Sequence, residues 1–541
     1  MKNVLSAVAF TSLVVGSFVA CGDPSDPQTL PDAAVVEPAH LWVSTLEKLP
    51  ILQGTQIDVQ VTVERLEGAN GPVEITVDDL PAGVTATGLT IDATETSGTI
   101  TFKAMTDAPH SLPTQISVRG TMGTASAVTP ATMTVYGPPG SLDTSFGGGR
   151  VMIPAGASDD YANAVVVQPD GKIVLGGRGA EHQGDFALIR LDRDGNLDPT
   201  FGTGGRVLTD FSGTSDNING LVLQPDGKIV AVGSSVKNGN DFAIARYNTD
   251  GSLDTSFGDG GKVVHTITAD SDVAYAALVT VDGYIVVGGE ANRGAAATGV
   301  DFALARFASN GQLDRNFGDQ GVTLSAFRPG NAGDSIYALA FQPLDGEARI
   351  VAAGGEGDMV VARYRWNGQL DTTFGTNGSV LNKLGSTIGA AYAVAITPTG
   401  SIALAGHSHN DVALLQLDDT GQVDPFFGNQ GKVITPITSN WDAARAIAID
   451  TGGKLVVGGW AYDGNSSAGN FVTLRYLTDG HLDPSFAGTG IVITPMAQGT
   501  KADESRAIAI QIDDRVPTHR IVVAGFANNS NADFAVARFW R

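Results

Sequence analysis

The sequence predicts an all-β chain, a seven-bladed β-propeller of four-stranded blades behind a small β-sandwich. Three observations carry this. A tandem repeat of 53 to 60 residues recurs seven times from residue 141 to the end. Each repeat holds four apolar runs of strand length. The 541 residues include 69 glycines, and no run reads as a helical repeat. Four short strands per unit, in about seven units, fall within the range of propellers.

The chain opens on an export leader, residues 1–21. Lys2 supplies a short basic start, and Val4 to Ala20 is uncharged and apolar or small. The run is too short for a spanning helix. Phe18-Val19-Ala20-Cys21-Gly22 then resembles the lipobox of bacterial lipoproteins, with Phe18 where Leu, Val or Ile is usual. The resemblance implies lipidation of Cys21, the sole cysteine, and so a membrane partner through a lipid anchor. Gly22 in place of Asp implies sorting to the outer membrane or cell surface. One cysteine allows no internal disulfide, so stability rests on packing and sheet hydrogen bonds. Residues 22–37 are rich in Asp, Pro, Ser and Gln and read as a flexible tether.

Residues 38–137 alternate apolar and polar in strand-length runs, such as Ile57-Asp58-Val59-Gln60-Val61-Thr62-Val63 and Val73-Glu74-Ile75-Thr76-Val77. Alternation of this kind fits sheets with one wet face. The segment is similar to bacterial Ig-like domains, without the Cys-Trp-Cys landmark of antibody domains. Gly137-Pro138-Pro139-Gly140 reads as a stiff break.

Residues 141–541 carry three motifs. Leu-Asp-x-x-Phe-Gly centres on Asp143, Asp198, Asp254, Asp314, Asp371, Asp424 and Asp483. A run such as Asp185-Phe186-Ala187-Leu188-Ile189-Arg190 ends in Arg190, Arg246, Arg306, Arg363, Arg475 and Arg538, with Gln416 in the fifth repeat. Between them lies Gln168-Pro169-Asp170-Gly171-Lys172-Ile173-Val174, in which Pro-Asp-Gly marks a tight hairpin. Together the motifs resemble the delta-60 repeat family of bacterial secreted proteins, which implies a β-propeller-like fold and no defined activity. Apolar residues run consecutively in the inner strands, as expected where both sheet faces are buried. The phase of the repeat leaves the last unit one strand short. Arg150-Val151-Met152-Ile153 precedes the first complete unit and is free to close the ring, removing two sheet edges.

The chemistry is sparse. A net charge of −24 excludes nucleic acid as a partner. The seven Asp and six Arg recur once per repeat, which fits hydrogen-bonded locks better than a site. Asp192, Asp194 and Asp198 resemble a calcium loop, but glycine falls at its fourth position, not its sixth, and the trio decays in later repeats. Calcium is therefore a candidate ion and no other cofactor is expected. His407-Ser408-His409 reads as a solvated loop pair. No nucleophile elbow, P-loop or nucleophilic cysteine occurs. The inner runs, Ala164-Val165-Val166-Val167 and Ala446-Ile447-Ala448-Ile449, look inert. The expectation is a non-catalytic binding or scaffold module that meets a glycan or envelope protein through loops 178–184, 236–240, 292–300 and 462–470. The rivals are a propeller-fold hydrolase or lyase acting on carbohydrate or lactone, and a purely structural envelope protein.

Overall fold

The computed structural model describes residues 41–541 except 67–69, 180–183, 212–214, 237–238, 295–298, 329–332, 383–388, 463–468, 498–501, 514–518 and 529–530. The expected leader, Cys21 and the tether lie outside the described residues. No helix among the described residues is long and apolar enough to cross a membrane.

Residues 41–136 form two sheets. One orders Leu41–Ser44, Gln56–Arg65, Ser97–Ala104 and Val84–Ala86; the other orders Lys48–Leu52, Ala125–Tyr136, Thr114–Met122, Val73–Asp78 and Leu89–Ile91. Val59, Val61 and Val63 of one long strand are buried while the alternating Asp58, Gln60 and Thr62 are exposed. They meet Ile75, Ile116 and Met133 of the other sheet in one apolar core.

The remainder is built of four-stranded antiparallel sheets, all but the last ordered as the chain runs. The first comprises Tyr161–Val167, Ile173–Gly179, Asp185–Leu191 and Arg206–Thr209. Pro169-Asp170-Gly171 makes the hairpin after the first strand: Gly171 takes φ +82° and its N–H reaches the Gln168 carbonyl at 2.8 Å. The second and third strands are buried along nearly their whole length, which is why their apolar residues run without alternation. Leu188 of this sheet packs with Ala231 and Ala243 of the next.

The first strand of every sheet contacts that of its neighbour, and Glu504–Gln511 of the last sheet contacts Tyr161–Val167 of the first. The last sheet takes its outer strand from the start of the repeat region: Arg150–Ile153 pairs antiparallel with Ala532–Trp540, Arg150 opposite Ala537 and Ile153 opposite Phe534. That is the pairing the repeat phase requires, and it covers the edge of Ala532–Trp540 that would otherwise stand open at the join.

The repeated Asp and Arg side chains come together. Arg190 Nε donates to Asp198 Oδ2 at 2.8 Å, and its guanidinium lies 4.4 Å from the Phe201 ring centre. Asp198 Oδ1 accepts from the Thr200 N–H and hydroxyl. Arg190 also donates to the Thr249 carbonyl in the next repeat, so the group ties two sheets. The same geometry recurs at Arg246–Asp254, Arg306–Asp314, Arg363–Asp371 and Arg475–Asp483. Gln416 Nε2 substitutes at Asp424, at 2.9 Å. Asp143 meets Arg538 at 2.8 Å across the closure, with Arg520 at 2.9 Å.

Burial alone would raise the carboxyls of Asp198, Asp254 and Asp483. Hydroxyl and backbone donors, a neighbouring lysine and the arginine outweigh it and hold all three well below the usual range. A carboxyl depressed in the folded state adds stability that is complete above its unfolded value, about 3.9, and is lost as pH falls through the folded value. Urea midpoints are therefore expected to fall steeply below about pH 4. Asp254→Asn, with one such carboxyl removed, should fall less steeply. Identical slopes for the two proteins between pH 4 and 2 would contradict this account.

The Gly-Pro-Pro-Gly break is fastened at both ends of the ring join. Gly140 N–H donates to the Trp540 carbonyl at 2.8 Å, and the Pro139 carbonyl accepts from Ala487 N–H at 2.9 Å. Trp540 Nε1 donates to His110 Nδ1 at 3.1 Å, which joins the sandwich to the last repeat strand.

Candidate functional site

Each first strand carries a register shift at the same place, one residue beyond its pairing sequence. The extra residues are Asn163, Asn219, Tyr275, Tyr337, Tyr392, Arg445 and Arg506. Opposite each stands a glycine of the second strand: Gly177, Gly233, Gly289, Gly354, Gly406, Gly459 and Gly525. A Cβ at any of these would lie 1.8 to 2.0 Å from a carbonyl oxygen of the first strand. Glycine thus lets the two backbones close on each other, and the bulge re-aims one side chain. The seven bulge side chains line one cavity of about 290 Å³ at the centre of the ring of sheets.

Contacts run round this ring. Arg506 Nη1 donates to Asn163 Oδ1 at 2.7 Å. Asn163 Nδ2 donates to the Ile218 carbonyl at 2.8 Å, and Asn219 Nδ2 to the Ala274 carbonyl at 2.8 Å. Tyr275 and Tyr337 meet edge to face with centres 5.3 Å apart, and Tyr337 and Tyr392 lie 5.2 Å apart. The Arg445 guanidinium sits 4.0 Å from the Tyr392 ring centre. Burial raises the Tyr275 phenol, with Glu290 adding to the effect, and burial pushes Tyr337 up to about 12. Both are neutral hydroxyl donors at physiological pH.

From the ring an aromatic arc climbs to the surface. His407 stacks on Tyr392 at 5.5 Å, Trp441 lies 6.1 Å from His407, and Trp460 lies 5.8 Å from Trp441. Trp441 is half exposed, whereas Trp460 is buried and its Nε1 has no hydrogen-bond partner among the described residues.

Two sequence expectations are corrected here. His407 is not in a solvated loop; it is the penultimate residue of the strand Ile402–Ser408, is buried, and has its basicity lowered by that burial. The loop begins only at His409, whose φ is +55°. The inner strands are not inert either. Ala164 to Val167 and Ala446 to Ile449 are the stretches just past Asn163 and Arg445, where the register has recovered.

The other expected residues serve turns and locks. Asp192 Oδ1 accepts from Asp194 N–H and Asn196 N–H, each at 2.9 Å, and Asp198 is held by Arg190 and Lys172. Among the described residues, the acidic trio whose oxygens lie within 4.8 Å of one another is Asp185, Asp210 and Asp216. Burial raises the Asp216 carboxyl. Much of the expected loop set falls outside the described residues. Its flanks stand at the funnel end of the sheets, since Arg178 pairs with Tyr161 and Tyr462 follows Trp460.

Fold and site together define a repeat protein of β-propeller type. Four of the repeats, at residues 168–201, 224–257, 282–317 and 453–486, match the family described as "Domain of unknown function (DUF5122) beta-propeller". No curated protein matches the chain. Among solved structures, a DUF4784 family protein from Bacteroides caccae aligns at 9% identity and a TM-score of 0.21, over 73% of this chain and 98% of its own. The immunoglobulin domains 1–5 of Sidekick-1 align at 8% identity and a TM-score of 0.17, over 93% and 98%.

Proposed function

We propose that the chain is an exported, lipid-anchored surface protein whose seven-bladed β-propeller, carried on an Ig-like sandwich, acts as a non-catalytic binding module. The observation that carries this reading is the ring. Its seven positions share one backbone geometry but differ in side chain, whereas the Asp–Arg locks are nearly uniform. A merely structural centre has no use for that variety, and a recognition surface does. The hydrolase or lyase alternative is disfavoured. No carboxylate or imidazole is among the seven, and Tyr275 and Tyr337 are held protonated, the wrong state for a general base. Cys21 would supply the anchor and residues 22–37 the reach.

The test is glycan-array and envelope-capture binding by the chain beginning at Gly22, beside Tyr337→Ala. Binding that the variant loses is expected. Turnover of a bound carbohydrate would favour the enzyme reading. Binding retained in full by the variant would move recognition away from the funnel.

A further inference from the structure

We infer that the funnel binds an acidic sugar, seating its carboxylate between Arg445 and Arg506 and its ring against the aromatic arc; this deepens the binding-module reading and rests on it. Six of the seven steps round the ring are bridged: four by a direct hydrogen bond or ring contact between ring side chains, and two by Asn163 and Asn219 donating to the backbone carbonyl just before the next ring residue. The remaining pair is Arg445 and Arg506, two like charges side by side, with no such bridge among the described residues. Arg506 has partners of its own in Asn163 and Glu504. Arg445 has no ion pair or hydrogen bond among the described residues, its Nε is buried without a partner, and its guanidinium lies over the Tyr392 face. Burial weakens the Arg506 guanidinium's hold on its proton, Glu504 opposes this, and Arg445 adds to it. An anion at this seam relieves both costs, and a carboxylate fits the planar guanidinium fork.

The rest of the lining specifies what carries the carboxylate. Three phenols, with what donor and acceptor capacity the two amides keep beyond their bonds to Arg506, Ile218 and Ala274, match a ligand with several hydroxyls. Few aliphatic side chains are present to reward an apolar body. A cavity of about 290 Å³ takes about one sugar ring. Tyr392, His407 and half-exposed Trp441 continue as a platform for the next rings of a chain. The unpartnered Trp460 Nε1 is a further donor on that path.

The experiment titrates the chain beginning at Gly22 with galacturonate and glucuronate oligosaccharides, with their neutral methyl esters, and with inorganic phosphate. The acid forms are expected to bind at least about 10-fold more tightly than the esters, the worth of one charge-assisted hydrogen bond. Arg445→Gln should abolish the preference for acid over ester. Arg445→Lys should restore part of the difference, which a folding defect would not. Equal binding of acid and ester by the unaltered protein overturns the acidic inference and leaves the binding module standing. Displacement of the acids by equimolar phosphate overturns it too, because the seam is then a simple anion site. If neither acid nor ester binds, and the array and envelope captures are also blank, both readings fall.

Discussion

Asp143→Ala is expected to cost about 3–5 kcal/mol of stability, and Arg538→Ala a similar amount. Both side chains are fully buried, and with Arg520 they form the lock at the join between the first and last segments of the ring. Burial works to raise the Asp143 carboxyl, yet Arg538 and Arg520 hold it below the usual range, so it is charged in the fold. Removing it leaves two guanidiniums facing each other without water. Removing Arg538 also frees the Arg193 carbonyl and the Gln511 amide oxygen it serves. The fifth repeat offers an internal comparison. There Gln416 replaces arginine, so Asp424→Ala breaks a neutral-to-charged hydrogen bond and strands no cation. Its expected cost is about 1.5–3 kcal/mol. Urea unfolding of the three variants decides the matter. Equal losses at Asp143 and Asp424 would show that the charge pair at the join has no special part in holding the ring closed.

The architecture was legible because its causes repeat. Leu-Asp-x-x-Phe-Gly recurs because each residue has a fixed duty: Asp takes the arginine, Phe lies beneath the guanidinium, and Gly202 at φ +52° donates its N–H to the Asp250 carbonyl of the next repeat. The closing strand was legible from phase alone, since Arg150–Ile153 has no partner in its own repeat. The funnel residues are hard to read from the sequence for the opposite reason. Its residues occupy equivalent positions but do not repeat in kind, so a search for shared motifs passes over them. A signal was nonetheless present. Ala162-Asn163-Ala164, Ala274-Tyr275-Ala276, Ala391-Tyr392-Ala393 and Ala444-Arg445-Ala446 each place one large polar residue between two small ones, just before an apolar run. Small neighbours are what a crowded axis permits, and the polar residue is what it exposes. His407 reads as a loop residue because His-Ser-His is hydrophilic in isolation. Its place on a strand follows from the Ile402-to-Gly406 run before it, paired with Ala413 to Leu417.

Gly458 and Gly459 adjoin in one strand, yet replacement by alanine is expected to act in opposite directions. Gly459 pairs with Ala444 and Gly458 with Ala446, so the two flank the bulge that presents Arg445. A Cβ on Gly459 would lie 2.0 Å from the Ala443 carbonyl oxygen, deep inside contact distance and against backbone. The strand must move, at a cost of about 3 kcal/mol, the upper end of overpacking. A Cβ on Gly458 meets nothing closer than 3.6 Å. Gly458→Ala therefore gains about 0.4–1 kcal/mol through the less flexible unfolded chain. Function should divide in the same way. The shift forced by Gly459→Ala flattens the bulge and withdraws Arg445 from the funnel, so the preference for acid over ester is lost even at temperatures where the variant is folded. Gly458→Ala leaves the bulge alone and keeps the preference. Thermal midpoints beside the acid-to-ester affinity ratio test both halves. A stable Gly459→Ala that still discriminates acid from ester would show that the glycine does not govern the bulge.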